Sequence, residues 1–212
     1  MTDISDLRSE YVRSALRKKD LADDPVLQFE QWFNQARDAD VAESNSAALA
    51  TSGSDGQPDV RTVLIKYFDA DGFVFFTNLE SVKADQISQN PRVGLLMYWQ
   101  PLERQIRIRG TAEKIKTSEA VRYFIKRPRG SQLGAWVSNQ SSVITSRTLL
   151  ETKFDEMKRR FGKGEIPLPS FWGGYRVRPQ QIEFWQGRRS RLHDRFLYTK
   201  QEQDWQIERL AP

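Results

Sequence analysis

The chain reads as a mostly antiparallel β-barrel, closed or split, with helices set between its strands: an α+β fold in a single domain of residues 1–212. Three observations predict this. Six or more short segments carry strand-like runs of apolar residues, and turn signals such as Gly53-Ser-Asp-Gly56 and Asp71-Gly72 join them. Helical periodicity recurs at intervals between those segments rather than in one block. A chain of 212 residues with 38% hydrophobic content is long enough to bury one sizeable core.

Residues 6–19 read as a charged helix with sparse apolar points at Leu7, Tyr11 and Leu16. Asp24-Pro25 is an N-cap followed by proline at the first helical position, and Val26, Phe29, Trp32, Phe33 and Ala36 recur at helical spacing to about Asp38. Strands are expected at Ala47–Ser52, Val60–Phe68 and Phe73–Thr77. Ser81 is placed to cap a short helix through Gln89, stopped by Asn90-Pro91. Val93–Trp99 and Gln105–Lys116 are two more strands; in the second, Ile106, Ile108 and Gly110 share one face and Arg107 and Arg109 the other. Helices follow from Thr117 to about Arg127, over Ser131–Val137, and over Ser146–Phe161, where Leu149, Leu150, Phe154, Met157 and Phe161 form an apolar face closed by Gly162-Lys-Gly164. The last strands are 174–178 with 181–186, then 192–199 and 205–210.

Composition narrows the function classes. The net charge is +5, but 28 acidic residues are interspersed among 33 basic ones with no block of five like charges, so a nucleic-acid surface is disfavoured. One histidine and no cysteine argue against a zinc or iron site and against thiolate chemistry. No apolar run approaches the roughly 20 residues of a membrane span, and the polar start Met-Thr-Asp-Ile-Ser-Asp-Leu has no signal-peptide core. A cytoplasmic protein is the expectation.

Several segments carry groups suited to anions. In Arg61-Thr-Val-Leu-Ile-Lys66 a strand bears a cation at each end; residues five apart point to opposite faces, so the two would serve different ligands or guard a strand edge. Thr77 to Ser81 with Lys83 forms a strand-to-helix junction, either a phosphate seat or plain capping. Tyr123, Arg127 and Ser131 are spaced by four and would form a phosphate cup if the helix persists past Pro128 as a turn. His193 stands between Arg191 and Arg195, just after Trp185-Gln-Gly187. Without GxGxxG, Walker A or a nucleophile paired to the lone histidine, the chemistry is best borrowed from a cofactor.

With Arg61-Thr-Val-Leu-Ile-Lys66 stand Asn90-Pro-Arg-Val93, Leu102-Glu-Arg-Gln105, Gly134-Ala-Trp-Val-Ser138, Pro167-Leu-Pro-Ser-Phe-Trp-Gly-Gly174, Gln181-Ile-Glu-Phe-Trp-Gln-Gly187 and Arg191-Leu-His-Asp-Arg195. Together, over nearly the whole length, they resemble the pyridoxine/pyridoxamine 5′-phosphate oxidase family. That resemblance implies an FMN-binding split β-barrel and a homodimer with FMN at the subunit interface. It implies oxidation of pyridoxamine or pyridoxine 5′-phosphate to pyridoxal 5′-phosphate by hydride transfer to flavin N5, with O2 reduced to H2O2. For FMN it implies Arg61, Thr62, Val63, Leu64, Ile65, Lys66, Phe76, Thr77, Lys83, Gln105, Gln140, Ser141, Trp185 and Arg195. For the substrate it implies Lys66, Tyr123, Arg127 and Ser131 at the phosphate and Arg191 and His193, the catalytic pair, at the pyridine ring. Arg8 and Tyr11 would belong to a mobile segment, residues 1–20, that closes over the substrate. No metal is implied.

Two positions depart from the family pattern. Val82 stands where arginine is common; a lost charge-assisted contact costs on the order of 1.5–3 kcal/mol, so FMN would bind more weakly. Phe76 replaces a frequent tyrosine, a mild change where the backbone makes the contact. The rival within the same fold is a split-barrel oxidoreductase acting on a phenazine precursor or reducing flavin with a nicotinamide, which would need no substrate-phosphate cup.

Overall fold

The computed structural model describes residues 2–3, 5–6, 10–138 and 140–212. Arg8 lies outside them, as do Leu7 and Ser9 of the expected first helix. Among the described residues, eight strands run in chain order with five α-helices: α1 (Pro25–Asp38), β1 (Ser46–Ser52), β2 (Pro58–Asp69), β3 (Gly72–Asn78), α2 (Val82–Gln89), β4 (Arg92–Trp99), β5 (Arg104–Lys114), α3 (Thr117–Phe124), α4 (Arg129–Val137), α5 (Arg147–Phe161), β6 (Trp172–Gln186), β7 (Asp194–Lys200) and β8 (Trp205–Leu210). The hydrogen-bonded order is β3-β2-β1-β4-β5-β6-β7-β8, and β6 also pairs with β3, so six strands close on themselves as expected for a barrel. The pairings β2–β3, β3–β6, β6–β7 and β7–β8 are antiparallel. Among the described residues no helix is long and apolar enough to cross a membrane.

The chain divides into two compact units, each assembled from separate stretches: residues 1–49, 94–110 and 179–212, and residues 50–93 and 111–178. In the first unit, α1 starts as the sequence predicts. The Asp24 carboxylate accepts from the amides of Val26 and Leu27 at 2.6 and 3.2 Å, and Pro25 occupies the first turn. Its apolar face buries Phe29, Trp32 and Ala36, and Trp32 meets Phe184 of β6 edge-on at 5.2 Å. Ile106 and Ile108 of β5 are buried, while Arg107 and Arg109 point outward, so the expected alternation holds.

The second unit centres on β3, whose Phe73, Val74 and Phe75 are fully buried. Phe76 pairs with Gly174 across β3–β6. A Cβ at Gly174 would meet the Phe75 carbonyl oxygen at 2.5 Å, so only glycine lets these strands approach. A β-bulge lies between Ile65 and Tyr67: Ile65 faces Phe75 while Tyr67 already faces Val74, leaving Lys66 as the extra residue. Phe68, not Tyr67, then turns inward to stack on Phe73 at 6.3 Å.

Four expectations need correction. Residues 10–17 form no helix, and only Lys18–Asp20 make a single 3-10 turn. Leu7, Tyr11 and Leu16 supply no continuous stripe, and backbone amides of Val12, Arg13 and Leu16 donate instead to the Glu103 and Asp194 carboxylates. Helix α3 ends at Phe124 rather than Arg127, because proline at 128 disfavours helical backbone before it; α4 begins earlier than expected, at Arg129, on the Pro128 carbonyl. Ser81 stands at the N-cap of α2, but its hydroxyl donates to the Asn78 carbonyl instead of capping. No residue of α5 is fully buried: Phe154, Met157 and Phe161 pack partly against the cluster around Phe124, Leu133 and Trp172, whereas Leu149 is exposed.

Candidate active site

The second unit holds a cavity of about 660 Å3, a size suited to a cofactor or small ligand. It gathers Thr62, Val63, Leu64 and Lys66 from β2, Phe76 and Thr77 from β3, Lys83 from α2, Tyr123, Arg127 and Ser131 from the α3–α4 junction, and Gln140. Arg61 and Ile65 are absent from this lining. Val63 and Ile65 turn inward, as does Arg61 on the same odd-numbered face, while Thr62, Leu64 and Lys66 turn outward. Ile65 is core at 5% exposure. The Arg61 guanidinium pairs with Asp59 and donates to Thr51 and, at 3.2 Å, to Gln86. Arg61 and Lys66 thus occupy different faces, as their spacing predicts. Ser141 is exposed in left-handed backbone (φ 74) and lies outside the cavity lining.

Two cations in this cavity are poised for anions. The Lys83 side chain is buried, and its ammonium donates to Gln140 Oε1 at 2.8 Å and to the Thr77 and Ser81 hydroxyls at 3.3 Å. All three partners are neutral, and burial, then the Arg61 guanidinium, pull its pKa below the ordinary value of 10.5. A buried ammonium satisfied only by neutral oxygens favours an added anionic partner. Arg127 lies over the Trp172 ring at 4.8 Å, and its buried Nη1 has no hydrogen-bond partner among the described residues. A buried, unpaired guanidinium nitrogen is costly unless a ligand oxygen meets it. The helix does not continue through Pro128. The amides of Lys126 and Arg127 donate to the Tyr123 and Phe124 carbonyls at 3.1 Å, forming a turn that leaves Tyr123, Arg127 and Ser131 on one cavity.

Phe76 stacks on Tyr123 at 4.0 Å and on Trp172 at 5.3 Å, so its ring, not only its backbone, shapes the wall. Val82 opens α2 and is 47% exposed, bringing no charge where the family pattern has one. Lys126 lines the cavity as well; sequence reasoning missed it, although it directly precedes Arg127.

The first unit carries the aromatic and histidine cluster. Trp185 of β6 faces Arg195 of β7 in register, and His193 lies 4.5 Å from the Trp185 ring. Ser190 and Arg191 are successive left-handed residues with φ of 57 and 60, an arrangement costing roughly 1–2 kcal/mol per residue and concentrated at functional turns. Arg195 is held on two sides: its Nε donates to Glu183 at 2.8 Å and its Nη1 to the Ala211 carbonyl at 2.7 Å. Glu183 is 5% exposed and also pairs with Arg107 at 3.2 Å; the signal for it was an acidic residue inside the otherwise apolar run Ile182–Trp185. Gln105 lies half-buried in β5.

The Arg188 amide donates to His193 Nδ1 at 3.1 Å. Nδ1 is therefore the unprotonated nitrogen, and a neutral ring presents Nε2–H as a donor. Burial, then the charges of Arg191 and Arg195, lower the His193 pKa below 6.5. A depressed histidine pKa favours the neutral form, so work that needs neutral His193 persists at high pH and is lost as pH falls through the folded value. The acid limb of kcat/KM is thus expected below pH 6.5, and His193→Gln, a donor that does not titrate, should flatten it. An unchanged limb in that variant would assign it to another group.

Residues 33–161 match the family model described as pyridoxamine 5′-phosphate oxidase, and residues 172–212 match that of the pyridoxine 5′-phosphate oxidase C-terminal dimerisation region. A pyridoxine/pyridoxamine 5′-phosphate oxidase of Crocosphaera subtropica is 61% identical over 213 residues, spanning 99% of this chain and 100% of the relative. Another, from Rippkaea orientalis, is 62% identical over 211 residues with the same coverage of each. The crystal structure of PhzG from Burkholderia lata 383, in complex with tetrahydrophenazine-1-carboxylic acid, superposes with a TM-score of 0.89 at 28% identity, covering 94% of this chain and 99% of that one. The barrel and the family matches define a split-barrel oxidoreductase of the flavoprotein class. Identity above 60% over the full length is decisive within that class. The chain belongs to the pyridoxine/pyridoxamine 5′-phosphate oxidase family.

Proposed function

We propose that the protein oxidises pyridoxamine 5′-phosphate and pyridoxine 5′-phosphate to pyridoxal 5′-phosphate, with FMN as cofactor and O2 as terminal acceptor. The observation that carries this reading is the Arg127 Nη1, without a hydrogen-bond partner among the described residues, in a cavity shared with Lys66, Tyr123 and Ser131. A guanidinium, an ammonium and two hydroxyls match the charge and acceptor oxygens of a phosphate monoester. Lys83 and Thr77, backed by Arg61, are assigned the FMN phosphate, with Thr62 to Ile65, Phe76, Gln140 and Ser141 along the rest of the cofactor. Gln105, Trp185 and Arg195 are assigned the flavin ring. The homodimer, with FMN at its subunit interface, belongs to the same reading and is supported by the dimerisation-region match.

Bound FMN would supply the two-electron acceptor for the substrate carbon. The chain's own residues do the rest. Lys66, Tyr123, Arg127 and Ser131 fix the substrate phosphate, converting encounter into a held geometry. Arg191 orients the reacting carbon, and His193 donates through Nε2 to a ring substituent. Arg195, held by Glu183, places positive charge where negative charge develops on reduction. Amine oxidation consumes O2 and water and releases ammonia and H2O2; alcohol oxidation consumes O2 and releases H2O2. The phenazine-type alternative has no use for a second phosphate cup.

Anaerobic titration of the FMN-loaded protein with pyridoxamine 5′-phosphate, followed by visible absorbance, tests the reading. Bleaching that reverses in air, with pyridoxal 5′-phosphate formed, is the expected result. A flavin that binds and stays oxidised would overturn the substrate assignment.

A further inference from the structure

We propose that Glu103 is a positioning residue: its carboxylate sets the N-terminal segment so that Tyr11 packs on Trp185 and His193. This rests on the reading that His193 meets the substrate ring. Glu103 Oε1 accepts from the Val12 amide at 3.2 Å and Oε2 from the Arg13 amide at 3.0 Å, so both oxygens are spent on the two residues after Tyr11. The Glu103 carbonyl accepts from the Gly187 amide at 2.7 Å and from Gln186 Nε2 at 3.2 Å. One residue therefore fixes the N-terminal segment and the Trp185-Gln186-Gly187 turn to a common point. Glu103 has left-handed backbone (φ 55), where glycine or asparagine would sit more easily; the carboxylate is what the position provides.

Tyr11 itself is closely seated. Its ring lies edge-on to Trp185 at 5.6 Å and to His193 at 5.7 Å, and its hydroxyl is hydrogen-bonded with Tyr98. A Cβ at Gly187 would lie 2.7 Å from Tyr11 Cγ, so the glycine is needed for this contact. Farther along, the Leu16 amide donates to Asp194 at 3.1 Å and Arg188 to the Ser14 carbonyl at 3.1 Å. These hold the segment generally; Glu103 alone holds the amides next to Tyr11 among the bonds described.

The lone histidine makes the test direct, because its ring resonances in NMR need no assignment. In Glu103→Gln, which keeps size but not the paired charged acceptors, Tyr11 should loosen and His193 hydrate. The His193 pKa is then expected to rise toward 6.5. KM for pyridoxamine 5′-phosphate is expected to rise about tenfold, the order set by weakened hydrogen bonds to a charged group. The kcat and the FMN affinity, read by flavin fluorescence, should change less than about twofold, since phosphate anchoring is untouched. Gly187→Ala, whose added Cβ would clash with the Tyr11 ring, should raise the His193 pKa in the same way, and melting temperatures confirm that both variants fold. A His193 pKa unmoved in both folded variants would overturn the proposal, as would a moved pKa with KM unchanged. If the wild-type protein failed to oxidise pyridoxamine 5′-phosphate, the functional reading would fall, while the histidine titration would still decide whether Glu103 places Tyr11.

Discussion

Replacing Arg127 by alanine is expected to lower kcat/KM for pyridoxamine 5′-phosphate by a factor of about 10²–10³, the equivalent of one or two charge-assisted bonds worth about 1.5–3 kcal/mol each. The buried Nη1 has no partner among the described residues, and burial pulls the guanidinium pKa down while the nearby Tyr123 offsets part of that shift. An ordered cation held over Trp172 at 4.8 Å pays no reorganisation when a phosphate arrives. Because the phosphate is remote from the reacting carbon, the loss should appear in kcat as well as KM. FMN affinity should stay within about twofold, since Lys83 and not Arg127 is assigned the FMN phosphate. Steady-state kinetics with parallel FMN titration checks this; an unchanged kcat/KM would remove Arg127 from the substrate site.

The second large effect is expected at Lys83. In Lys83→Met the FMN dissociation constant should rise about 30- to 100-fold, the equivalent of about 2–3 kcal/mol for one lost charge-assisted contact. The apoprotein should not be destabilised, and its melting temperature should hold or rise. In the free chain the ammonium is buried among Gln140, Thr77 and Ser81, with neutral partners and a lowered pKa, so removing it relieves desolvation. The combination of weaker cofactor binding with an undiminished apoprotein separates a ligand-binding lysine from a structural one. Fluorescence titration with FMN and thermal melts of the apoprotein measure the two halves. A dissociation constant within twofold of the unaltered protein would assign the FMN phosphate to Arg61 instead, and would make Val82 a change without consequence.

Local rules in the sequence determined much of the fold. Asp24-Pro25 sets the start of α1 because a carboxylate can cap only where free amides are exposed. The alternation of Ile106, Arg107, Ile108 and Arg109 determines which face of β5 is core. The odd–even split of Arg61 and Lys66 was also legible, since strand periodicity alone places side chains on a face, whereas Tyr123, Arg127 and Ser131 meet only through the turn between α3 and α4. Tertiary structure decided what depends on partners distant in the chain. Residues 10–17 have the composition of a helix, but carboxylates at 103 and 194 take their amides. The bulge at Lys66 exists because β3 advances one residue where β2 advances two, turning Phe68 rather than Tyr67 inward. The His193 tautomer follows from the Arg188 amide, and the need for glycine at 187 from a tyrosine 176 positions earlier. Glu183 reads as an interruption in an apolar strand until Arg107 and Arg195 stand beside it. Periodicity is local and so can be read along the chain; pairing of buried charges, tautomers and close approaches is set by which segments meet, and that is decided only in three dimensions.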